Sequence, residues 1–458
     1  MRLIGMRVYH SKYGEGIIKR VRCGGYELEV EFNGLTKWLC IDEINILQEG
    51  DSNKITQDKM QSEGCENEQF SARRLIESLR LGIVPLDQVK KFTFGRKRET
   101  EKIEKWLGDS NPANSTLFLM GEYGAGKTHL LHHTIASALE NGYATAWIEV
   151  GGGELCNPKT VYKNLMRNFR YPTQNGRIGE FQEFVTTMIR DGDFEDNYYF
   201  RCLKPRMDDS AVWEWIGGWD DRPKPYPYGV YPPMHSDTKS ANIYCYLIST
   251  LGWASKHVLG LRGLLLVFDE METITSAPTA PQRAASRNFL EALIKTSMDF
   301  QNLKENPSNS GLCYSRRSYN IPFIYKTPTS LKLMFSLPSD WRGIFRDRRY
   351  HYIDMERDTQ LGFSQILPAC REIAEIIMKS EKILLEPLPV SEMGGIIIAT
   401  NSFYQVAYNV EPLSNSEIEK MFLKGTGAIN MYPNGGIRIR NFVKWCVEYL
   451  DLKRFRGG

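Results

Sequence analysis

The residues with the clearest capacity for chemistry are Gly121-Glu122-Tyr123-Gly124-Ala125-Gly126-Lys127-Thr128, which fit the spacing G-x-x-x-x-G-K-[ST]. Glycines at this spacing let backbone N–H groups turn inward around phosphate oxygens. A helix that starts at the lysine adds the partial positive charge of its amino terminus. Lys127 would reach the β- and γ-phosphates of a nucleoside triphosphate, and Thr128 would offer its hydroxyl to a magnesium ion. With the adjoining His129, these residues form the candidate nucleotide-binding set, and the implied ligands are ATP and Mg2+.

A phosphate loop needs acids on a second strand. Leu264-Leu265-Leu266-Val267-Phe268-Asp269-Glu270 is an apolar run that ends in two carboxylates. Such a run suits a buried parallel strand whose carboxyl end opens on a ligand crevice. Asp269 would hold the metal, and Glu270 would polarise the water that attacks the γ-phosphate. Glu272, two positions on, reads as solvent-exposed. A second apolar run, Leu331–Leu337, is closed by Pro338, and Ser336 on it is the candidate γ-phosphate sensor. Arg342, Arg346, Arg348, Arg349 and His351 form a basic cluster. It would reach either a neighbouring subunit's γ-phosphate, which implies a homo-oligomer, or DNA phosphates; an ion-paired surface is the plain alternative. In the closing helix Arg438, or else Arg440, is placed to fold over onto the nucleotide.

These side chains need elements to carry them. Leu117–Met120 reads as a buried strand before the glycines, and Leu130, Leu131, Ile135, Ala138 and Leu139 give the following helix its apolar face. Upstream, Ala72, Leu75, Ile76 and Leu79 predict a helix from Phe70, capped by Ser71 and stopped by Gly82 and Pro85. A further helix is predicted over about Lys97–Leu107. Residues 1–48 alternate apolar and polar residues over 7–9, 16–22, 26–32 and 36–40, punctuated by glycines, which predicts a small all-β barrel. Residues 49–69 are polar and acidic and read as a linker. The expected organisation is a barrel (1–48), a linker (49–69), an ATPase core (70–340) with an insertion at about 151–262, and a helical lid (341–458). Within the insertion, helices are predicted over 161–170 and 179–189. They are followed by an aromatic, proline-rich stretch from Trp213 to Pro233 that includes Arg222 and Lys224. It would stack on single-stranded bases, dock a protein, or pack onto its own domain.

The chain has 458 residues with 58 Lys+Arg against 55 Asp+Glu, a net charge of +3. That balance excludes coating of nucleic acid by bulk charge. Nine cysteines without C-x-x-C spacing predict neither a zinc site nor a disulfide framework. No apolar run is long enough to span a bilayer, and no leader pattern opens the chain, so a cytoplasmic protein without membrane contact is expected.

Two resemblances add to this reading. The pattern set by Val8, His10, Tyr13, Gly14, Gly16 and Ile18 resembles the small Tudor-like barrels of some superfamily-one DNA helicases and polymerase-binding regulators. The segments ARRLIESLRLGIVP, FTFGRKRETEKI, LFLMGEYGAGKTHLLH, GLRGLLLVFDEMETI and GGIRIRNFVKWCVEYLD resemble the ATP-binding proteins of BREX-type phage-defence systems. That resemblance implies an α/β, AAA+-like P-loop ATPase core with a helical lid, preceded by the small barrel. It implies that Lys127, Thr128, Asp269 and Glu270 serve the nucleotide, that Phe94, Gly95 and Arg96 lie near its base, and that Arg438 is the lid arginine. Here Gly436-Ile437 precedes Arg438 where a proline would be expected. The expected function is an ATPase switch in a DNA-associated defence complex, with DNA, a helicase or another defence protein as partner. The alternatives are a nucleotide-gated binding module with little hydrolysis and a DNA-loading ATPase of replication or repair.

Overall fold

The computed structural model describes residues 7–10, 13–22, 27–32, 34–40, 45–46, 59–151, 157–219, 232–236, 239–275, 279–305, 312, 321–341, 371–430 and 438–456. Its contacts divide it into two units, residues 1–68 and 69–458. The basic cluster at 342–351 and the stretch with Arg222 and Lys224 lie outside the described residues.

The first unit is an antiparallel sheet of β1 (Arg7–His10), β2 (Gly14–Arg22), β3 (Glu27–Phe32), β4 (Leu35–Cys40) and β5 (Asn45–Ile46), in the order β4-β3-β2-β1-β5. Val8, Ile18, Leu28, Val30, Phe32 and Leu39 form its core. Gly16 has no alternative there, because a Cβ would meet the Phe32 ring at 2.6 Å. This is a small all-β unit; among the described residues β4 and β5 do not pair, so closure into a Tudor-like barrel is not seen.

The polar segment read as a linker is partly helical. Helix α1 runs Lys59–Arg80, so Ser71 sits inside it and caps nothing. Its glutamates and glutamines are good helix formers, and composition alone does not distinguish a polar helix from a linker.

Along the second unit follow α2 (Lys97–Gly108), β6 (Thr116–Gly121), α3 (Lys127–Glu140), β7 (Tyr143–Glu149), α4 (Pro158–Arg167), β8 (Arg170–Pro172), β9 (Ile178–Glu180), α5 (Phe181–Asp191), α6 (Ser210–Ile216), α7 (Ala241–His257) and β10 (Gly263–Asp269). Then come α8 (Ala280–Ser297), α9 (Gln301–Glu305), β11 (Leu331–Leu337), α10 (Arg371–Lys379), β12 (Glu381–Leu385), α11 (Met393–Tyr408), α12 (Asn415–Asn430) and α13 (Arg438–Arg456). Seven strands form one sheet in the order β12-β6-β11-β10-β7-β8-β9. It is parallel from β12 to β7 and antiparallel over β8 and β9. Helices cover both faces, which is why β6, β10 and β11 are continuous apolar runs rather than alternating ones. On one face Phe335 stacks between Phe118 and Phe268, at 5.5 and 4.9 Å between ring centroids. On the other, Leu117, Leu119, Leu265 and Val267 meet α2 and α3.

Two boundaries differ from expectation, and one of the readings of the aromatic stretch is selected. The segment 151–262 is no appended module: α4 and α7 belong to the main core, and α7 is buried nearly all round. Arg170 and Gly179, expected in helices, lie in the β8–β9 hairpin that extends the sheet edge. Trp213 and Trp215 are buried, and their indoles donate to the Met207 and Pro232 carbonyls, so these aromatics pack their own domain.

The carboxyl-terminal helical subdomain also differs. The expected core–lid boundary at 340 is too early, because α10 packs in the main core and β12 pairs with β6. The helical subdomain instead starts near Met393. It recruits the carboxyl-terminal half of α1, whose Ala72, Leu75, Ile76 and Leu79 are buried with Met393, Ile397, Tyr404, Phe442 and Val447. Arg80 closes the arrangement. It grips Asp451 of α13 through both terminal nitrogens and also bonds Tyr408 of α11.

Candidate nucleotide site

Strand β6 delivers the chain to the phosphate loop, and α3 leads away from it. Gly124 and Gly126 sit at φ +77 and +95, where a side chain would be strained, so both are needed for the turn. The Ala125 N–H closes the loop onto the Glu122 carbonyl at 3.1 Å. The first residues of α3 have no side-chain cap, which leaves amino-terminal N–H groups for phosphate oxygens. Lys127 Nζ donates to the carbonyls of Gly121 (2.8 Å) and Glu122 (3.3 Å), which poises it over the loop. Tyr123 is exposed.

The sheet order brings in the acids. Strand β11 lies between β6 and β10, so the carboxyl ends of all three open at one edge. Thr128 and Asp269, 141 positions apart, meet there: Thr128 Oγ1 donates to Asp269 Oδ2 at 2.6 Å. The second carboxylate oxygen accepts from Ser336 Oγ and from the Glu270 N–H at 2.9 Å. That N–H also reaches Ser336 Oγ at 2.9 Å. These bonds hold Glu270 at φ +55, a left-handed conformation costly for a residue with a side chain. Thr273 Oγ1 ties the Glu270 carbonyl to that of Val150.

Ser336 therefore differs from expectation. It is fully buried, and its hydroxyl is engaged on the Asp269 carboxylate and the Glu270 N–H, so its contacts fix the orientation of Asp269. Alternation along β11 dictates this, since Phe335 and Leu337 occupy the opposite face of the pleat. Glu272 also differs: its Oε2 is buried, and its charge acts on Glu270. Burial pushes the Glu270 carboxyl above its ordinary range, with Glu149, Asp269 and Glu272 adding and Lys127 opposing.

The segment before α2 forms the other wall. Arg96 is buried, and its guanidinium donates to the Ala125 carbonyl within the loop at 2.9 Å. Thr93 Oγ1 bonds His129 Nε2 at 2.9 Å, so the His129 side chain is committed to this segment. Burial pushes the His129 imidazole down to about 3, with His132, His133 and Arg96 contributing, so it is a neutral partner. Gly95, at φ +63, lies against Leu388 and Glu392, and the Phe94 ring lies against Gly395 of α11. Residues 93–96 thus touch both the phosphate loop and α11, the first helix of the carboxyl-terminal helical subdomain. Arg438 is the first residue of α13, and its side chain lies outside the described residues. The stem of Arg440 lies against Gly82 at the end of α1.

Two residues escaped the sequence reading. Ser339, just after β11, hydrogen-bonds the Glu122 carboxylate of the loop. Its signal was available: a hydroxyl just past the end of a strand that borders the crevice. Glu149 ends β7 in register with Asp269. Its signal was the same pattern that marks Asp269, an acid closing an apolar run.

The model of the family described as BREX system ATP-binding protein BrxC/D matches residues 68–190. The match takes in Gly95, Arg96 and the whole phosphate loop. Over those residues it supports the resemblance to that ATP-binding family. No curated protein matches the chain.

Proposed function

We propose that the chain is an AAA+-like ATPase that binds ATP and Mg2+ at the phosphate loop, hydrolyses ATP, and so switches a DNA-associated defence complex between states. The observation that carries this is the Thr128–Asp269–Ser336–Glu270 constellation. A loop that only binds phosphate has no need of a second acid held in a strained conformation beside its metal ligand.

In this reading the loop N–H groups and the amino end of α3 receive the phosphates, and Lys127 moves from loop carbonyls to the β- and γ-oxygens. The Thr128 hydroxyl and Asp269 carboxylate are hard oxygen donors that fit Mg2+. The ion, when bound, neutralises charge on the β- and γ-phosphates. Ser336 keeps Asp269 in one orientation. Glu270 accepts the proton of the attacking water as its oxygen bonds to the γ-phosphorus and the bond to the bridging oxygen breaks. Its raised carboxyl sets the acid limb: turnover falls as pH drops through the Glu270 pKa, because the protonated acid cannot act as base.

Residues 93–96 would carry the change from loop to lid. Arg438 remains the proposed lid arginine, the helical subdomain the proposed lid, and the amino-terminal unit the proposed Tudor-like recruiter of DNA, a helicase or another defence protein. Phosphate release by the purified chain, with and without DNA, tests the reading. Glu270→Gln should abolish turnover and retain ATP binding; turnover equal to the unaltered chain would overturn it.

A further inference from the structure

The parallel sheet has a second functional edge. At the amino ends of β10 and β11, opposite the phosphate loop, lies a cavity of about 280 Å³ whose walls include Lys256, Arg262, Ser330, Lys332, Asp109 and Asp299. A seven-residue strand at ~3.3 Å per residue places it roughly 20 Å from the nucleotide site.

Three cations in this cavity face two acids, and Asp109 and Glu381 act on Lys332 only through space. Asp109 already accepts from the Asn111 N–H and from Asn114 Nδ2, both at 2.8 Å, and Asp299 accepts from the Thr329 N–H at 2.8 Å. Among the described residues Lys256, Arg262 and Lys332 are in no ion pair. Lys332 is 5% exposed, lies over the Trp106 ring at 5.0 Å, and has one long hydrogen bond, 3.4 Å to the Asn114 carbonyl. Among the described residues the buried Ser330 Oγ has no hydrogen-bond partner. A buried ammonium and a buried hydroxyl left this way are costly unless something else satisfies them. Burial also pushes the Lys332 ammonium down to about 8, which still leaves it charged at neutral pH.

We propose that this cavity binds a small phosphorylated molecule. A phosphate monoester presents three acceptor oxygens and up to two charges. Arg262 can engage two oxygens through its planar fork, Lys332 and Ser330 can donate from the wall, and Lys256 adds charge at the rim. The volume lies just below the usual range for drug-sized ligands, so the occupant is a small metabolite rather than a polymer. Strands β10 and β11 run from this cavity to Asp269 and Ser336.

The test is calorimetric titration of glycerol phosphate and of inorganic phosphate into the full chain and three variants. Lys127→Ala removes the main charge of the phosphate loop and should leave this affinity unchanged. Arg262→Gln, at an exposed position that leaves the fold intact, should weaken it roughly ten- to a hundredfold, as loss of a charged hydrogen bond does. Lys332→Met should do the same. Absence of binding to the unaltered chain would overturn the proposal. So would affinity lost in Lys127→Ala but intact in Arg262→Gln, which would send the phosphate to the nucleotide loop.

Discussion

Replacing Ser336 by alanine separates the orientation of Asp269, the proposed metal ligand, from the carboxylate itself. The hydroxyl donates to one oxygen of Asp269 and accepts from the Glu270 N–H. Its removal leaves that N–H on Asp269 at 2.9 Å, so no backbone donor is orphaned. What is lost is one hydrogen bond to a charged group, about 2 kcal/mol. Asp269 keeps Thr128 and the Glu270 N–H, two of its three donors. Turnover should fall roughly ten- to thirtyfold, the rate equivalent of ~1.4–2 kcal/mol. The magnesium concentration for half-maximal turnover should rise, while ATP affinity measured without magnesium stays the same. Steady-state phosphate release across a magnesium series reads both effects. A variant that unfolds at lower temperature yet keeps the original turnover and magnesium midpoint would refute the orienting role and leave Ser336 as packing.

Gly95→Ala should destabilise the chain by more than the ~1–2 kcal/mol of a left-handed alanine, because its Cβ also meets Glu392 Cγ at 2.7 Å and Leu388 Cδ1 at 2.8 Å. Gly176→Ala, with a similar φ and nothing within 4 Å, is the control that carries only the backbone cost; equal losses in thermal unfolding would argue against the close contact between residues 93–96 and the helical subdomain. Lys332→Met should be more stable than the unaltered chain at pH 7. The folded ammonium titrates near 8 rather than 10.5, so between these values the unfolded chain holds a proton that the folded one lacks, and stability of the unaltered chain rises with pH. The advantage of the variant should therefore shrink from pH 8 towards 10.5 in urea unfolding; a constant gap would show that Lys332 is not desolvated.

The nucleotide loop was legible because its chemistry is local: the glycines that must adopt positive φ, the lysine and the threonine all lie within eight residues. Asp269 was legible because an apolar run ending in an acid has few other uses. The role of Ser336 was not, since its type gives no sign that alternation along β11 turns it onto Asp269. The stripe Ala72–Leu79 announced a buried helix face without naming its partner, and the partner is the carboxyl-terminal helical subdomain, more than 300 positions away. For the same reason β12 was missed as a core strand: its burial alternates, and only pairing with β6 identifies it. Arg96 was placed near the base by resemblance, whereas its long-range bond to Ala125 arises from the fold.

The central claim is that Asp269 and Glu270 convert a phosphate-binding loop into a hydrolytic site. The most direct measurement is phosphate release alongside ATP affinity for the unaltered chain and Glu270→Gln in the presence of magnesium. The unaltered chain should release phosphate, Glu270→Gln should not, and both should bind ATP with comparable affinity. Undiminished turnover in Glu270→Gln would contradict it.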